Sequence, residues 1–321
     1  MAKGLAAGKE AYAYDLSVIV LTYHSDFDKL KRTLLSLIFQ KNVSMEIIVA
    51  DDGSAENHRD KVTELFERHG FTDYKLVMNT QNQGTIRNCL SGIDTADGEF
   101  AKAISPGDFL ASDDALCGWV RFMRQKGCEW SFSEIVNYIA LNGGEVLASE
   151  IAQPVYIKPY IDENRSQARW NYVVLDDAAP GCAFMGKTQL KKRYAEELAS
   201  AGNKYAEDLI FRMMMFDGVC GGYYPAATVF YEYGTGISTG KNKTWASRIF
   251  GEYLRMNELL AQRPNPDAFQ RKMLKYTKRK TSAFAMIFVP GKLRRFLKLH
   301  LCPRRFPVAL ADSEEWREKC R

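Results

Sequence analysis

The sequence predicts an α/β fold: a doubly wound, mostly parallel sheet with helices on both faces, followed by a C-terminal helical extension. Three observations carry this expectation. Apolar runs alternate with amphipathic stretches through residues 15–128, the βαβα order that builds parallel sheets. Those runs are continuously apolar, as strands covered on both faces are. From Thr244 onward the strand signals stop and the pattern is mostly helical.

In order along the chain, Leu16 to Leu21 is a β-branched run and reads as the first strand. Leu30, Leu34, Leu37 and Ile38 then share one face of a helix that Ser25 or Asp26 can cap. Glu46 to Ala50 is a second buried strand, ending abruptly in Asp51-Asp52-Gly53-Ser54, and a polar helix is expected over Ala55 to His69. A third strand covers Tyr74 to Met78, a helix follows the Asn79–Gly84 loop, and a fourth strand covers Glu99 to Ile104. That strand ends in Ser105-Pro106-Gly107-Asp108, where Pro and Gly enforce a turn. A helix over Asp113 to Gln125 completes the first half.

The second half reads differently. Glu129–Leu141 and Val155–Ile161 are expected as strands joined through an Asn142-Gly143-Gly144 turn. Gly181–Met185 is short and apolar, and a Lys/Glu-rich helix follows it. Glu207–Phe216 reads as a helix and Gly222–Tyr233 as a strand. Helices are expected over Thr244–Gln262, Pro266–Phe288 and Gly291–His300. The domain expectation is 15–243 as one unit in two halves, 15–128 and 129–243, and 244–321 as a basic extension.

Composition narrows the function. The chain has 321 residues, 46% of them hydrophobic and 26% charged, and a net charge of +5. Those values exclude a disordered tail, a collagen-like fibre and a disulfide miniprotein. Of the 44 Lys and Arg residues, twelve lie within 271–305, where no Asp or Glu occurs, so the remaining 32 face 39 acids. The basic segment therefore points to an anionic partner surface for itself alone. Helices mixing Lys and Arg with Leu, Phe and Ile suit an anionic membrane surface; a solvated helical cap is the alternative. No nucleic-acid partner is indicated. Seven widely spaced cysteines without a C-x-x-C pair predict reduced thiols and a cytoplasmic location, peripheral on the inner face of the cell membrane if the basic segment binds it.

In an open α/β sheet, ligands bind outside the carboxyl ends of the strands. Thr22-Tyr23, Asp51-Asp52-Gly53-Ser54 and Ser105-Pro106-Gly107-Asp108 all stand at such ends, so they are expected around one crevice. Carboxylates there can accept from a base ring N–H or hold a hard cation. Asp208, after Glu207, opens an apolar helix and is a candidate general base, although acids at a helix start also suit the macrodipole. The Gly-rich segment with Ser238, Thr239 and Lys241 could close over a diphosphate, or be a plain surface loop; its glycines miss the Walker spacing. No His pair has metal-ligand spacing, no Gly-x-Ser-x-Gly is present, and no Gly-x-Gly-x-x-Gly follows the first strand. These absences disfavour a zinc site, a hydrolase elbow and a nicotinamide dehydrogenase.

The ordered set resembles family 2 glycosyltransferases of the GT-A fold. The matching pieces are Ser17–Tyr23, Glu46–Ser54, Asn82–Asn88, Gly98-Glu99-Phe100, Ser105–Asp108, Glu207-Asp208 and Tyr231–Thr239. The resemblance implies inverting transfer of a sugar from a nucleotide-sugar, a UDP-sugar first, to a hydroxyl of a cell-envelope glycan or lipid-linked acceptor. It implies Thr22 and Tyr23 along the base, Asp52 on the uracil ring N–H, and Arg87 and Gly107 beside the diphosphate. It also implies Asp108 on a Mg²⁺ or Mn²⁺ ion and Asp208 as the base. The first acid of the family's Asp-x-Asp motif is absent, Ser105 and Gly107 standing near it. Trp170, Asp176 and Asp177 are candidate acceptor contacts. Two rival readings stand beside this one, a sugar-phosphate nucleotidyltransferase and a non-catalytic relative that binds glycan or partners.

Overall fold

A computed structural model describes residues 12–141, 144–234, 243–277, 288–306 and 313–321. A nine-stranded mixed sheet runs through it. Its first part is wound as expected. Strand β1 (Tyr14–Thr22) pairs in parallel with β2 (Met45–Asp51) on one side and β4 (Gly98–Ile104) on the other, and β3 (Tyr74–Met78) pairs in parallel with β2. Side chains of β1 alternate between two cores. Leu16, Val18 and Val20 pack with helices α1 (Phe27–Ile38), α2 (Arg59–Arg68) and α4 (Ala115–Lys126). Ile19 and Leu21 face the other way, onto Cys89 and Ile93 of α3 (Thr85–Ile93).

Local sequence explains most ends. Asp26 caps α1, its carboxylate accepting from Lys29 N–H at 3.0 Å. Gly127 closes α4 in the left-handed conformation, φ +61°. The expected helix over 55–69 begins later, at Arg59, because His58 holds φ +56° and cannot continue a helix backwards.

Beyond α4 the sheet turns mixed. Strand β8 (Phe184–Lys187) lies antiparallel to both β4 and β6 (Trp130–Leu141), β9 (Gly221–Glu232) runs parallel to β6, and short β5 (Phe109–Leu110) lies antiparallel to β9. The hairpin partner of β6 is β7 (Gly144–Ser149), not the expected 155–161. The Val155 and Tyr156 N–H groups go to the Asp177 carboxylate, each at 2.8 Å, and so are taken away from any ladder. The chain then enters a short helix, α5 (Lys158–Ile161). A helix the sequence reading left unassigned, α6 (Arg165–Leu175), follows, capped by Asn164. Helices α7 (Thr188–Ser200), α8 (Leu209–Asp217), α9 (Lys243–Ala261) and α10 (Ala268–Thr277) join α6 in a second large core around Trp130, Phe184 and Phe211.

The C-terminal segments carry α11 (Lys292–Leu301) and α12 (Glu314–Lys319). Part of the basic charge is used inside the molecule. Arg304 pairs with Glu134 at 2.5 Å, Lys292 with Asp176 at 3.1 Å, and Arg295 with Asp177 at 3.3 Å. Arg317 and Arg321, with Arg32 of α1, surround Glu145. Removing one member of so buried a cluster leaves an uncompensated charge, so these contacts dock the C-terminal residues onto the body.

Candidate active site

The carboxyl ends of β1 and β4, the Ser105–Asp108 turn, the end of β9 and the start of α8 open onto one cavity of about 800 Å³. Asp108 and Asp208 both line it, from opposite halves of the chain. Glu207, Glu232, Asp176 and Tyr253 line it too, and so do Leu299 and His300 of α11.

The turn that presents Asp108 is tightly built. Gly107 has φ +99°, and a Cβ there would lie 2.3 Å from Glu232 Oε2, so only glycine fits. Thr33 Oγ1 on α1 accepts the Gly107 N–H and donates to the Asp108 carbonyl at 2.7 Å. The Tyr138 hydroxyl donates to the Gly107 carbonyl. Asp108 Oδ1 accepts the Glu232 N–H at 3.0 Å, and Glu232 is held by Lys29 Nζ at 2.6 Å. Burial pushes the Asp108 carboxyl up to about 7, against the opposing pull of that N–H and of Lys102.

Lys102, on β4, is wholly buried and donates to the Cys182 carbonyl. Burial lowers its ammonium to about 8. The Asp108 charge opposes that lowering, and the Lys102 charge in turn opposes the upward shift on Asp108. Lys191 of α7 is buried close by and eases the charge on Glu207. The sequence reading missed both. A lone lysine within the apolar strand run Phe100–Ile104 was the available signal.

Glu207 and Asp208 enter the cavity just before α8. Burial raises both carboxyls; the Asp208 charge raises Glu207 further, and Arg212 one turn along α8 opposes the shift on Asp208. Arg212 is itself fixed by the Tyr172 and Val173 carbonyls and by Asp176 at 2.6 Å. The loop leading to the pair is held by Glu252 of α9. Its buried carboxylate accepts the consecutive N–H groups of Lys204, Tyr205 and Ala206 at 2.8–3.0 Å. On the other side of that loop, the Lys204 carbonyl accepts the Ile86 N–H at 2.9 Å. Glu252 carries no sequence signal, being one of two acids on an amphipathic helix.

The nucleotide-side residues are arranged otherwise. Asp52 is buried, and its two oxygens accept the Gln83 and Gly84 N–H groups, each at 2.8 Å. That fixes the turn entering α3, and Asp52 is not on the cavity wall. Thr22 is buried and donates to Asp51, whose carboxylate also accepts from the Ser54 N–H and hydroxyl. Tyr23 is half exposed beyond the strand end, and Arg87 is exposed on α3. Gly107 faces a smaller cavity of about 260 Å³ behind the turn, beside Lys29 and Arg32. The structure thus puts Asp108 and Asp208 on the wall of one cavity, while Thr22, Tyr23, Asp52, Arg87 and Gly107 do not line it.

Of the other candidates, Asp176 lines the cavity. Asp177 is wholly buried under Val155, Tyr156 and Arg295. Trp170 packs against Phe269 and Tyr276, away from the cavity wall. Ser238, Thr239 and Lys241 lie outside the described residues. Among the described residues no three acidic, His or Cys side chains converge as a metal cage. One carboxylate, Asp108, with one oxygen already committed to an N–H, fits a cation that arrives with substrate phosphates. Mg²⁺ is commonly held by one or two carboxylates plus such phosphates.

The model of the family described as Glycosyl transferase family 2 matches residues 17–193. No curated protein matches the sequence. Among solved structures, residues 1–349 of S. aureus TarS in complex with UDP-GlcNAc share 14% identity at a TM-score of 0.54, covering 95% of this chain and 79% of that one. The same fragment with UDP gives 14% and 0.52, over 94% and 78%. The mannosyltransferase PcManGT from Pyrobaculum calidifontis, in complex with GDP-Man and Mn²⁺, gives 12% and 0.55, over 97% and 83%. At these identities the likeness establishes the fold, which is that of GT-A glycosyltransferases.

Proposed function

The chain belongs to glycosyl transferase family 2, and from that premise we propose that it moves one sugar, with inversion, from a nucleotide-sugar to an acceptor hydroxyl. The donor is a UDP-sugar, and the acceptor is a cell-envelope glycan or lipid-linked precursor at the inner face of the membrane. The observation that carries this reading is the meeting of Asp108 and Asp208 on one cavity large enough for a sugar and a diphosphate. The basic, amphipathic helix beside that cavity supports the acceptor class.

Asp208 takes the proton from the acceptor hydroxyl as its oxygen attacks the anomeric carbon. The bond from that carbon to the diphosphate oxygen breaks on the opposite face, and its electron pair leaves with the nucleoside diphosphate. A raised carboxyl is matched to this task, because a general base works best when its pKa approaches the working pH. Glu252 keeps the 204–206 backbone, and with it Asp208, in place. The base of the donor lies along the Thr22–Tyr23 end, with Asp52 holding the neighbouring 83–84 turn and Arg87 on the rim. Asp108 would hold Mg²⁺ or Mn²⁺, which supplies neutralisation of the departing diphosphate. The Lys102 ammonium adds positive charge that acts on Asp108.

A panel of UDP- and GDP-sugars, incubated with the full chain and Mg²⁺ or Mn²⁺, tests the reading. Slow hydrolysis of one donor, read as nucleoside diphosphate release, is expected. Release of pyrophosphate instead, or no release and no calorimetric binding of any nucleotide at millimolar concentration, would overturn it.

A further inference from the structure

We propose that the outward face of α11 seats the protein on the anionic leaflet of a lipid bilayer, with the mouth of the Asp108–Asp208 cavity beside the lipid surface. A surface helix ordinarily buries its apolar stripe and shows its charges to water. Helix α11 does the reverse. Its inward side is polar: Lys292 and Arg295 reach Asp176 and Asp177. Its outward side is apolar. Leu293, Leu297 and Leu301, at i, i+4 and i+8, are 46%, 44% and 73% exposed, Phe296 beside them is 41% exposed, and Phe288 just before the helix is 61% exposed. The inward ion pairs fix the rotation of the helix, so this face cannot turn into the core without breaking them.

Charge selects the occupant. Next to Leu293 in the stripe stands exposed Arg294, in a segment, 271–305, that holds no acid. A second copy docking face to face would bring two such segments together, and a symmetric contact of like charges is unfavourable. An anionic lipid surface offers hydrocarbon to the leucines and opposite charge to Arg294. The helix lies on the membrane and does not cross it: no described helix is long and apolar enough to span. The same helix contributes Leu299 and His300 to the cavity wall, so a lipid-linked acceptor would meet Asp208 without leaving the leaflet. That last step rests on the sugar-transfer reading; the seating itself does not.

The test is co-sedimentation of the full chain with vesicles of phosphatidylcholine containing about 30% phosphatidylglycerol, against phosphatidylcholine alone, since anionic lipid is the variable that matters. Binding to the anionic vesicles only, weakened by salt, is expected. The combined variant Leu293→Ser, Phe296→Ser, Leu297→Ser and Leu301→Ser should lose about tenfold or more in binding as the buried hydrocarbon is removed. Arg294→Glu, a single surface change, should lose about fivefold or more by charge alone. None of these residues lines the cavity, so donor hydrolysis without vesicles should match wild type in both variants. Equal sedimentation of wild type and both variants overturns the proposal. So does a wild-type dimer by light scattering that the leucine variant dissolves while vesicle binding is absent. Vesicle binding without hydrolysis of any donor would leave the seating intact and sink the transfer reading, so the two failures are distinct.

Discussion

Two sets of carboxylates sit within this fold, and their surroundings separate them. Asp52 and Glu252 are buried acids whose oxygens are met by backbone N–H groups, two for Asp52 and three consecutive ones for Glu252. Asp177 is a third of the same kind. Asp108, by contrast, accepts one N–H, and burial drives it and the Glu207–Asp208 pair upward. The first set fastens loops; the second lines the cavity, where the backbone N–H groups of Asp208 and Leu209 offset only part of the upward shift on Asp208. The comparison shows that an acid at a strand end is informative about chemistry only once its donors have been counted.

The sharpest way to test the division is to neutralise one member of each set. Asp208→Asn should lower kcat for transfer by about 10²–10⁴, the range general-base removal gives, while leaving the denaturation midpoint unchanged or raised, because a poorly solvated charge is gone. A normal rate in Asp208→Asn would place the base elsewhere. Glu252→Ala should show the opposite weighting. Stranding the 204–206 N–H groups should cost about 2–4 kcal/mol of stability in denaturant titration, with a smaller fall in kcat and little change in donor KM. If Glu252→Ala folds as stably as wild type, the distinction between fastening and open carboxylates breaks down.

A subtler effect follows from pH. The Glu207 carboxyl stands above its unfolded value of 4.5, at about 7 in the folded protein. The folded state therefore binds this proton more tightly than the unfolded state. The stability it contributes is complete below about 4.5 and is lost as pH rises through about 7. Relative to Glu207→Gln, which carries no titrating proton, wild type should lose stability steadily across that window, read as a fall in its unfolding free energy minus the variant's. A difference independent of pH would mean that Glu207 is solvated like a surface carboxylate.

Much of the fold was legible because its signals are local. The first strand, the capped helix after it and the Asp51–Ser54 end of the second strand follow from β-branched runs, apolar spacing and turn residues. The hairpin partner of β6 was misplaced because Val155–Ile161 has a strand-like composition, while its first two N–H groups are claimed by an acid some 20 residues away in sequence. The late start of α2 turns on one residue's backbone angle. The basic segment was visible as a charge imbalance, but the partners of Lys292, Arg295 and Arg304 were not.

The sequence by itself determined the order of strands and helices and the acids available at their ends, since these depend on neighbours within a few positions. Only the tertiary structure decided that Asp108 and Asp208 face one space, that Asp52 holds a turn, and that α11 carries its apolar side outward. Each of those outcomes depends on which backbone groups and counter-charges arrive from far along the chain, and chain separation leaves no trace of that in local pattern.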